Sequence, residues 1–273
     1  MKRAQPSVPS PDPSLRYLEL QITNRCNLRC RHCYIGDVVP RDLPATQVRS
    51  VLRQFEELQG LRVLITGGEP VLHGRFDEIN EMLPDFAFRS VLFSNGLGLH
   101  GEVLKKLKVH EIQVSIDGLE RAHDDLRGAG AWQRSMDALR RAIDAGFDVS
   151  VSTMISAKNL SDFDALEDLF RSHGVREWSV DVPCLTGRMA DNRDIAVPPE
   201  VAGKYLGYGY GGGMHAAGRG YACGLHLMAV MPDGSAAKCA FYSDRPVGTI
   251  GEGLKSCWER VRPIRLENLE CDC

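Results

Sequence analysis

Hydrophobic positions repeat with two different periods along the first 183 residues. Short apolar runs predict six strands, at residues 17–23, 62–66, 90–94, 111–115, 148–155 and 177–182. Helical spacing is clearest at 45–58, through Val48, Val51, Leu52 and Phe55, and again through Met136, Leu139, Ile143 and Phe147. Strands that alternate with helices are typical of parallel strands joined by crossover helices. The pattern therefore predicts about six β/α units.

Six units are fewer than the eight of a closed β/α barrel. The predicted fold class is α/β, a partial (β/α)6 TIM-type barrel, whose functional groups should lie at the C-terminal ends of the strands. Polar and glycine-rich segments occur at three of these ends, at 66–70, 94–96 and 115–118. We expect these segments to share one rim of the barrel with the loop that follows the first strand.

The last part of the chain has a different pattern. Pro232, Asp233 and Gly234 predict a hairpin turn between strands at 227–231 and 236–240, and a helix is predicted at 253–261. We predict a disordered, proline-rich leader at 1–14, a barrel at 15–200 and a small hairpin-plus-helix extension at 201–273. The aromatic stretch at 205–210, with the glycines after it, is predicted to be a flexible lead-in loop.

Composition narrows the function classes. The 273 residues are 43% hydrophobic and 25% charged with a net charge of −3, which indicates a globular protein with a sizeable core. No basic stripe indicates a nucleic-acid partner, and no apolar run has membrane-spanning length. Without a hydrophobic signal segment, we expect a cytoplasmic protein. Nine unevenly spaced cysteines then favour metal or redox chemistry over a disulfide framework.

Three of the cysteines, Cys26, Cys30 and Cys33, lie in one short loop just after the first predicted strand. Three soft ligands at this spacing can hold three corners of an iron–sulfur cube and leave the fourth iron open to a small molecule. A zinc site with His32 as the fourth ligand is the alternative. Zinc motifs usually pair their ligands in two separated knuckles, so the spacing favours the cluster.

Two motifs together resemble those of a known family. The pattern Cys-x3-Cys-x2-Cys, with His32 before the last cysteine, and Gly-Gly-Glu-Pro after the second strand resemble the radical S-adenosylmethionine (SAM) superfamily, over residues 15–182. The resemblance implies a four-iron four-sulfur cluster on Cys26, Cys30 and Cys33, with SAM on its open iron. It implies reductive cleavage of SAM to a 5′-deoxyadenosyl radical that abstracts hydrogen from a substrate. An electron donor such as flavodoxin or ferredoxin would be a partner.

The resemblance also assigns residues to SAM. Missing side chains at Gly67 and Gly68 would let main-chain carbonyls approach the ammonium group, where Glu69 adds negative charge. Ser115 and Arg127 would bind the carboxylate, and Asn95 would reach the ribose. The alternatives are turn chemistry for Ser115 and Asn95 and a solvated helix charge for Arg127. The complete predicted set for SAM is His32, Tyr34, Gly67, Gly68, Glu69, Pro70, Asn95, Ser115 and Arg127, with His32 and Tyr34 near the adenine.

The C-terminal cysteines resemble the start of a second metal site. Cys223, ten residues, Gly234, four residues and Cys239 are similar to the opening of the SPASM and twitch extensions. This implies one auxiliary iron–sulfur cluster on Cys223 and Cys239 with Cys271 and Cys273. If the chain is trimmed, the last two would begin a second auxiliary site. Cys257 shares a helix face with Leu254, Trp258 and Val261 and is predicted to be a buried hydrophobe, whereas Cys184 could be catalytic or merely packed.

The resemblance does not choose a substrate. We expect maturation of a ribosomally made peptide or protein, by a crosslink, a thioether or a side-chain oxidation. Modification of tetrapyrrole side chains in a haem-type pathway is the first alternative, and residues 186–188 are similar to segments in both groups. A non-catalytic metal-binding or electron-transfer protein is the second alternative.

Overall fold

One sheet runs through the part of the chain that the structure describes. The structure is a computed structural model and describes residues 14–211 and 226–267. Within these residues the sheet has nine strands in the order β6-β5-β4-β3-β2-β1-β7-β8-β9. They are β1 (Tyr17–Thr23), β2 (Arg62–Gly67), β3 (Arg89–Ser94), β4 (Glu111–Ser115), β5 (Asp148–Met154), β6 (Glu177–Asp181), β7 (Leu227–Val230), β8 (Ser235–Ala237) and β9 (Gly248–Thr249).

Helices connect the parallel strands, as the hydrophobic periods predict. They are α1 (Ala45–Glu57), α2 (Phe76–Met82), α3 (Gly101–Lys106), α4 (Glu120–Arg127), α5 (Ala131–Asp144), α6 (Phe163–Ser172), α7 (Pro199–Ala202) and α8 (Leu254–Glu267). Strands β1 to β6 are parallel to their neighbours. The predicted partial barrel of six β/α units is therefore confirmed. The predicted apolar face of the first helix is confirmed too, since Val48, Val51, Leu52 and Phe55 of α1 are all buried.

The C-terminal hairpin continues the barrel sheet. The predicted turn is present, with the Gly234 N–H donating to Met231 O at 2.9 Å, and it joins β7 to the antiparallel β8. Strand β7 pairs in parallel with β1, in a register that sets Tyr17 opposite Leu227. The sequence predicted the hairpin but not this pairing. Because β7 and β8 extend the edge of β1, the residues after β8 lie beside the barrel interior.

Helix α8 packs against the outside of this edge. Its Leu254 N–H donates to Gln54 Oε1 of α1 at 2.7 Å. Cys257 is fully buried, and its thiol lies 3.3 Å from the carbonyl oxygen of Thr249, which it can donate to. The side chain therefore belongs to the core, as predicted for a small buried hydrophobe.

The aromatic stretch at 205–210 is packed, so its prediction as a flexible loop is wrong for these residues. The Tyr205 and Tyr208 rings contact Phe163 of α6, with centroids 4.8 and 5.3 Å away. Tyr210 exchanges two backbone hydrogen bonds of 3.0 Å with Trp178 of β6. The rings bury apolar area, and the bridge satisfies backbone groups on the outer edge of β6.

An ion-pair network closes the N-terminal end of the barrel. Arg62, at the start of β2, lies 2.7 Å from Glu111 of β4 and 3.4 Å from Glu177 of β6. Arg89, at the start of β3, lies 3.0 Å from the same Glu111. These four side chains form a polar floor that the hydrophobic pattern did not predict. Within the described ranges, no helix has both the length and the apolar character needed to span a membrane.

Candidate active site

A cavity of about 230 Å³ occupies the barrel interior above the ion-pair floor. Every strand from β1 to β7 contributes to its lining, and the loop after β1 covers its C-terminal end. Most of the predicted site residues meet there. Those that line the cavity are Cys26, His32, Cys33, Tyr34, Gly67, Gly68, Asn95, Ser115, Arg127 and Cys239. Cys30, Glu69 and Pro70 do not line it.

The loop at residues 24–37, here called the cysteine loop, places three thiols at one end of this cavity. Cys26 is exposed, Cys33 is half-buried and Cys30 is buried. Burial raises the pKa of Cys30 to about 11 and also raises the pKa of Cys26. Cys26 and Cys30 would therefore release protons when a cationic group binds them. Among the residues described, no three His, Cys, Asp or Glu side chains are arranged to bind a single metal ion.

Nitrogen donors surround two of the sulfur atoms. The Leu28 N–H donates to Cys26 Sγ at 3.4 Å, and the side-chain nitrogen of Asn95 lies 4.0 Å from the same sulfur. The Arg127 guanidinium lies 4.0 Å from Cys30 Sγ. Donors and a cation beside sulfur suit thiolates, because they stabilise the ionised form. The donor set therefore fits a group held by three cysteine thiolates, as the cluster would be.

Gly67 and Gly68 let the end of β2 contact the start of the cysteine loop. A Cβ on Gly68 would lie 2.3 Å from Arg25 O, and one on Gly67 would lie 2.1 Å from Thr23 O. Gly67 also has a φ of +149°, which favours glycine. Backbone hydrogen bonds hold this contact, from Gly68 to Thr23 at 2.9 Å and from Glu69 to Arg25 at 2.7 Å. Close approach to the loop is thus a reason for these glycines that the sequence did not reveal.

Glu69 lies at the same end of the barrel as the cysteine loop but does not line the cavity. Its side chain is fully buried and accepts hydrogen bonds of 2.8 Å from the Ser94 hydroxyl and the Asn95 N–H. Burial raises the pKa of Glu69 to about 7, although these hydrogen bonds act in the opposite direction. Pro70 is also buried and begins a short 3₁₀ turn, Pro70–Leu72. These two residues support the end of β3 and do not face the cavity.

Asn95 connects β3 to the cysteine loop. Its side-chain nitrogen donates to Asn27 Oδ1 at 2.8 Å, and its side-chain oxygen accepts from the Leu97 N–H at 2.8 Å. The second bond is the turn chemistry that the sequence left open as an alternative, and it coexists with a position on the cavity wall. Ser115, at the end of β4, is half-buried on the same wall.

Asp117 is the main contact that the sequence missed. Its carboxylate accepts from Arg127 Nε at 2.5 Å and from the Met154 N–H at 2.8 Å, and lies 3.2 Å from His32 Nε2. Burial acts to raise the pKa of Asp117, but the Arg127 and His32 charges outweigh it and hold that pKa well below its usual range. Arg127 itself is only 11% exposed, so its interpretation as a solvated helix charge is wrong. The Ser-Ile-Asp-Gly run at 115–118, at the end of β4, is the sequence signal that could have pointed to Asp117.

The hairpin places Cys239 on the cavity wall near Tyr34 of the cysteine loop. Cys239 follows β8 and is buried, and Phe241 packs edge-on against Tyr34 with ring centroids 4.8 Å apart. The Tyr34 hydroxyl accepts from Gln21 Nε2 at 3.1 Å. The other predicted auxiliary ligands, Cys223, Cys271 and Cys273, lie outside the described residues. Cys184 is buried and does not line the cavity.

We expect His123 to make the protein less stable in acid. Burial, with Arg127 nearby, lowers its pKa from 6.5 to about 4. The unfolded chain therefore takes up this proton at a higher pH than the folded chain, so stability is lost as the pH falls from 6.5 towards 4. Urea unfolding should show a loss of about 2–3 kcal/mol over this range from this group.

The matched variant for this experiment is His123→Asn, whose amide oxygen can still accept from the Asp117 N–H that now donates to His123 Nδ1 at 3.1 Å. Its free energy of unfolding should vary less with pH than that of the wild type. Equal pH slopes for the two proteins would contradict the assignment.

Known proteins resemble this chain in sequence and in fold. The AdoMet-dependent heme synthase of Nitratidesulfovibrio vulgaris is 27% identical over 193 residues, 68% of this chain and 53% of that protein. The sporulation killing factor maturation protein SkfB of Bacillus subtilis is 33% identical over 146 residues, 51% of this chain and 36% of that protein. The chain thus spans about half the length, or less, of these curated relatives.

The fold resembles that of Streptococcus suis SuiB, whose crystal structure bound to S-adenosylmethionine matches with a TM-score of 0.73 at 16% identity. The match covers 93% of this chain and 68% of SuiB. The sequence model of the radical SAM superfamily matches residues 20–170, from β1 through most of α6 and more than half of the chain. This range includes the cysteine loop, Gly67 and Gly68 at the end of β2, and Arg127. The chain belongs to the radical SAM superfamily.

Proposed function

We propose that this chain is a radical SAM enzyme that modifies a ribosomally made peptide or protein. One observation carries the proposal: the loop that holds Cys26, Cys30 and Cys33 covers a barrel cavity, and Cys26, Cys33, Gly67 and Gly68 line it. When bound, the cluster and SAM supply a 5′-deoxyadenosyl radical. The chain's contribution is to hold these groups, to orient the substrate and to exclude water.

The residues around Asp117 would orient SAM. Asp117 binds Arg127 through Nε, Nη1 lies 4.0 Å from Cys30 Sγ, and the side chain lines the cavity. A planar fork in this position suits the carboxylate of SAM, together with the Ser115 hydroxyl. The cation is already desolvated and held in place before a ligand arrives, which reduces the entropy lost on binding.

The similarity to SkfB, a maturation protein, supports a peptide substrate. The cavity wall carries charges of both signs, because Asp117 pairs with Arg127 and Glu177 pairs with Arg62. A wall of this kind can bind the polar groups of a peptide beside its apolar side chains.

Tetrapyrrole modification is the second candidate, because the match to the heme synthase covers 68% of this chain. The two candidates can be separated by mass spectrometry after incubation with SAM and reductant. A peptide encoded beside the gene should lose hydrogen, whereas an iron porphyrin with propionate side chains should stay unchanged. Decarboxylation of the porphyrin with no change in the peptide would favour the second candidate.

The radical chemistry itself has a direct test. The chain, loaded anaerobically with iron and sulfide, should form 5′-deoxyadenosine and methionine when SAM is present with dithionite or with reduced flavodoxin. Replacing Cys26, Cys30 and Cys33 together by alanine should remove this product. A cluster-loaded wild type that forms no 5′-deoxyadenosine with either reductant would contradict the proposal and favour a non-catalytic metal protein. A colourless, zinc-loaded chain would contradict the cluster as well.

A further inference from the structure

We propose that residues 186–194, here called the clamp segment, hold the cysteine loop in the conformation that binds the cluster, with Arg188 as the positioning residue. The inference rests on the cluster of the proposed function. The clamp segment follows β6 and lies outside the range that the superfamily model matches, residues 20–170. The clamp segment contacts Cys30, Cys33 and Gly36, whereas the glycines of β2 contact Thr23 and Arg25.

Arg188 donates hydrogen bonds to three carbonyl groups of the cysteine loop. Its Nε donates to Cys30 O at 2.9 Å, and its backbone N–H donates to Cys33 O at 2.9 Å. Its Nη1 donates to Gly36 O at 3.0 Å and lies 2.7 Å from Asp37 Oδ1. The side chain is only 16% exposed. One arginine therefore binds the peptide groups of two cluster cysteines and the exit of the loop.

Two glycines allow the backbones to approach this closely. A Cβ on Gly187 would lie 2.4 Å from Cys33 O and 2.3 Å from Tyr34 O, and its φ is +56°. Gly36, with a φ of +74°, faces Gly187 at a distance where a Cβ would be 3.2 Å from its Cα. Any side chain at Gly187 would push the clamp segment away from the loop and lengthen the bonds of Arg188.

A second arginine connects the same two segments from the other direction. Arg31, between Cys30 and Cys33, donates from Nε to Asn192 Oδ1 at 3.1 Å. Its Nη2 lies 2.7 Å from Asp194 Oδ2. The cysteine loop therefore both donates hydrogen bonds to the clamp segment and accepts hydrogen bonds from it.

These bonds restrict the two peptide groups that set the spacing of the thiols. Within the loop, the Cys33 N–H donates to Cys30 O at 3.3 Å, a long bond. If the Arg188 side chain is removed, Cys30 O loses its Nε donor and the peptide after Cys30 becomes freer to rotate, which moves the Cys30 and Cys33 Sγ atoms relative to one another. The backbone N–H of residue 188 can still donate to Cys33 O. A ligand set held in advance retains its metal group better than one that must be ordered on binding.

The test measures cluster retention in Arg188→Ala. We expect the variant to bind less iron and sulfide after anaerobic reconstitution and to lose iron to a chelator about 10-fold faster than the wild type. Amide hydrogen exchange in the cluster-free protein should also be faster across residues 26–34. Arg188→Lys should recover part of the retention, because lysine keeps the charge but lacks the guanidinium fork. Gly187→Ala should act in the same direction as Arg188→Ala.

Arg29→Ala is the matched control, because Arg29 contacts the same Asp37 at 2.7 Å through a side chain that is 75% exposed. It should retain iron as the wild type does. Equal retention and equal exchange in Arg188→Ala and the wild type would overturn the proposal, and so would equal losses in Arg188→Ala and Arg29→Ala. The exchange measurement needs neither cluster nor SAM, so failure of the clamp is distinguishable from failure of the radical chemistry.

Discussion

Replacement of Cys30 by alanine is expected to abolish 5′-deoxyadenosine formation. Two thiolates would remain, and a cube with one open iron needs three protein ligands. Cys30 is also the most buried of the three thiols, so water is poorly placed to substitute for it. Iron and sulfide content after reconstitution, together with chromatographic detection of 5′-deoxyadenosine, measure the effect.

Cys257→Ala is the control, since Cys257 is a fully buried core cysteine in α8 whose thiol lies near the Thr249 carbonyl. It should lower stability modestly and leave the cluster and the product in place. If Cys30→Ala still formed 5′-deoxyadenosine, or if Cys257→Ala lost the cluster as fully, the assignment of the three cysteines would be wrong.

Replacement of Asp117 by alanine is expected to lower the free energy of unfolding by about 3–5 kcal/mol. The change leaves the buried Arg127 cation without its partner and the Met154 N–H without an acceptor. Because the folded carboxyl has a lowered pKa, its contribution is present above pH 3.8 and is lost as the pH falls through the folded value. Urea unfolding near neutral pH measures the loss.

One further variant isolates the charge of Asp117, and another gives the cost of losing an exposed carboxylate. Asp117→Asn keeps an oxygen that can accept from Met154 N–H but removes the charge, so it should lose part of the stability and weaken SAM binding. Asp125→Ala removes two exposed ion pairs, with Arg31 and with Lys158, and should cost at most about 1 kcal/mol because Asp125 is 44% exposed. If Asp117→Ala cost no more than Asp125→Ala, the buried pair would not be the support that the geometry indicates.

The barrel could be predicted because its signals are local. Val48, Val51, Leu52 and Phe55 repeat within one helix, and apolar residues recur within each parallel strand, as Leu18, Leu20 and Ile22 do in β1. The same holds for the cysteine loop, where the spacing of its three cysteines was enough to predict an iron–sulfur cluster. In contrast, the aromatic stretch at 205–210 was predicted wrongly, because its partners Phe163 and Trp178 come from α6 and β6 and no local pattern names them.

The roles of the polar side chains divide in the same way. Gly67 and Gly68 follow from a motif, but their contact with the Thr23 and Arg25 carbonyls does not. Glu69 belongs to the same motif, yet its side chain is fully buried at the end of β3, where it accepts hydrogen bonds from Ser94 and Asn95. Motifs identify which residues matter, whereas the direction of a side chain depends on which donors lie nearby.

By itself the sequence determined the six β/α units, the three-cysteine loop and the rim of strand ends where the site forms. Only the tertiary structure decided that the hairpin extends β1, that Asp117 holds Arg127, and that Arg188 binds the Cys30 carbonyl from 158 residues away. The physical reason is the sequence distance over which each interaction acts. Periodicity and turn chemistry act between near neighbours, but a buried charge or carbonyl takes as its partner whichever group the folded chain brings within hydrogen-bond distance.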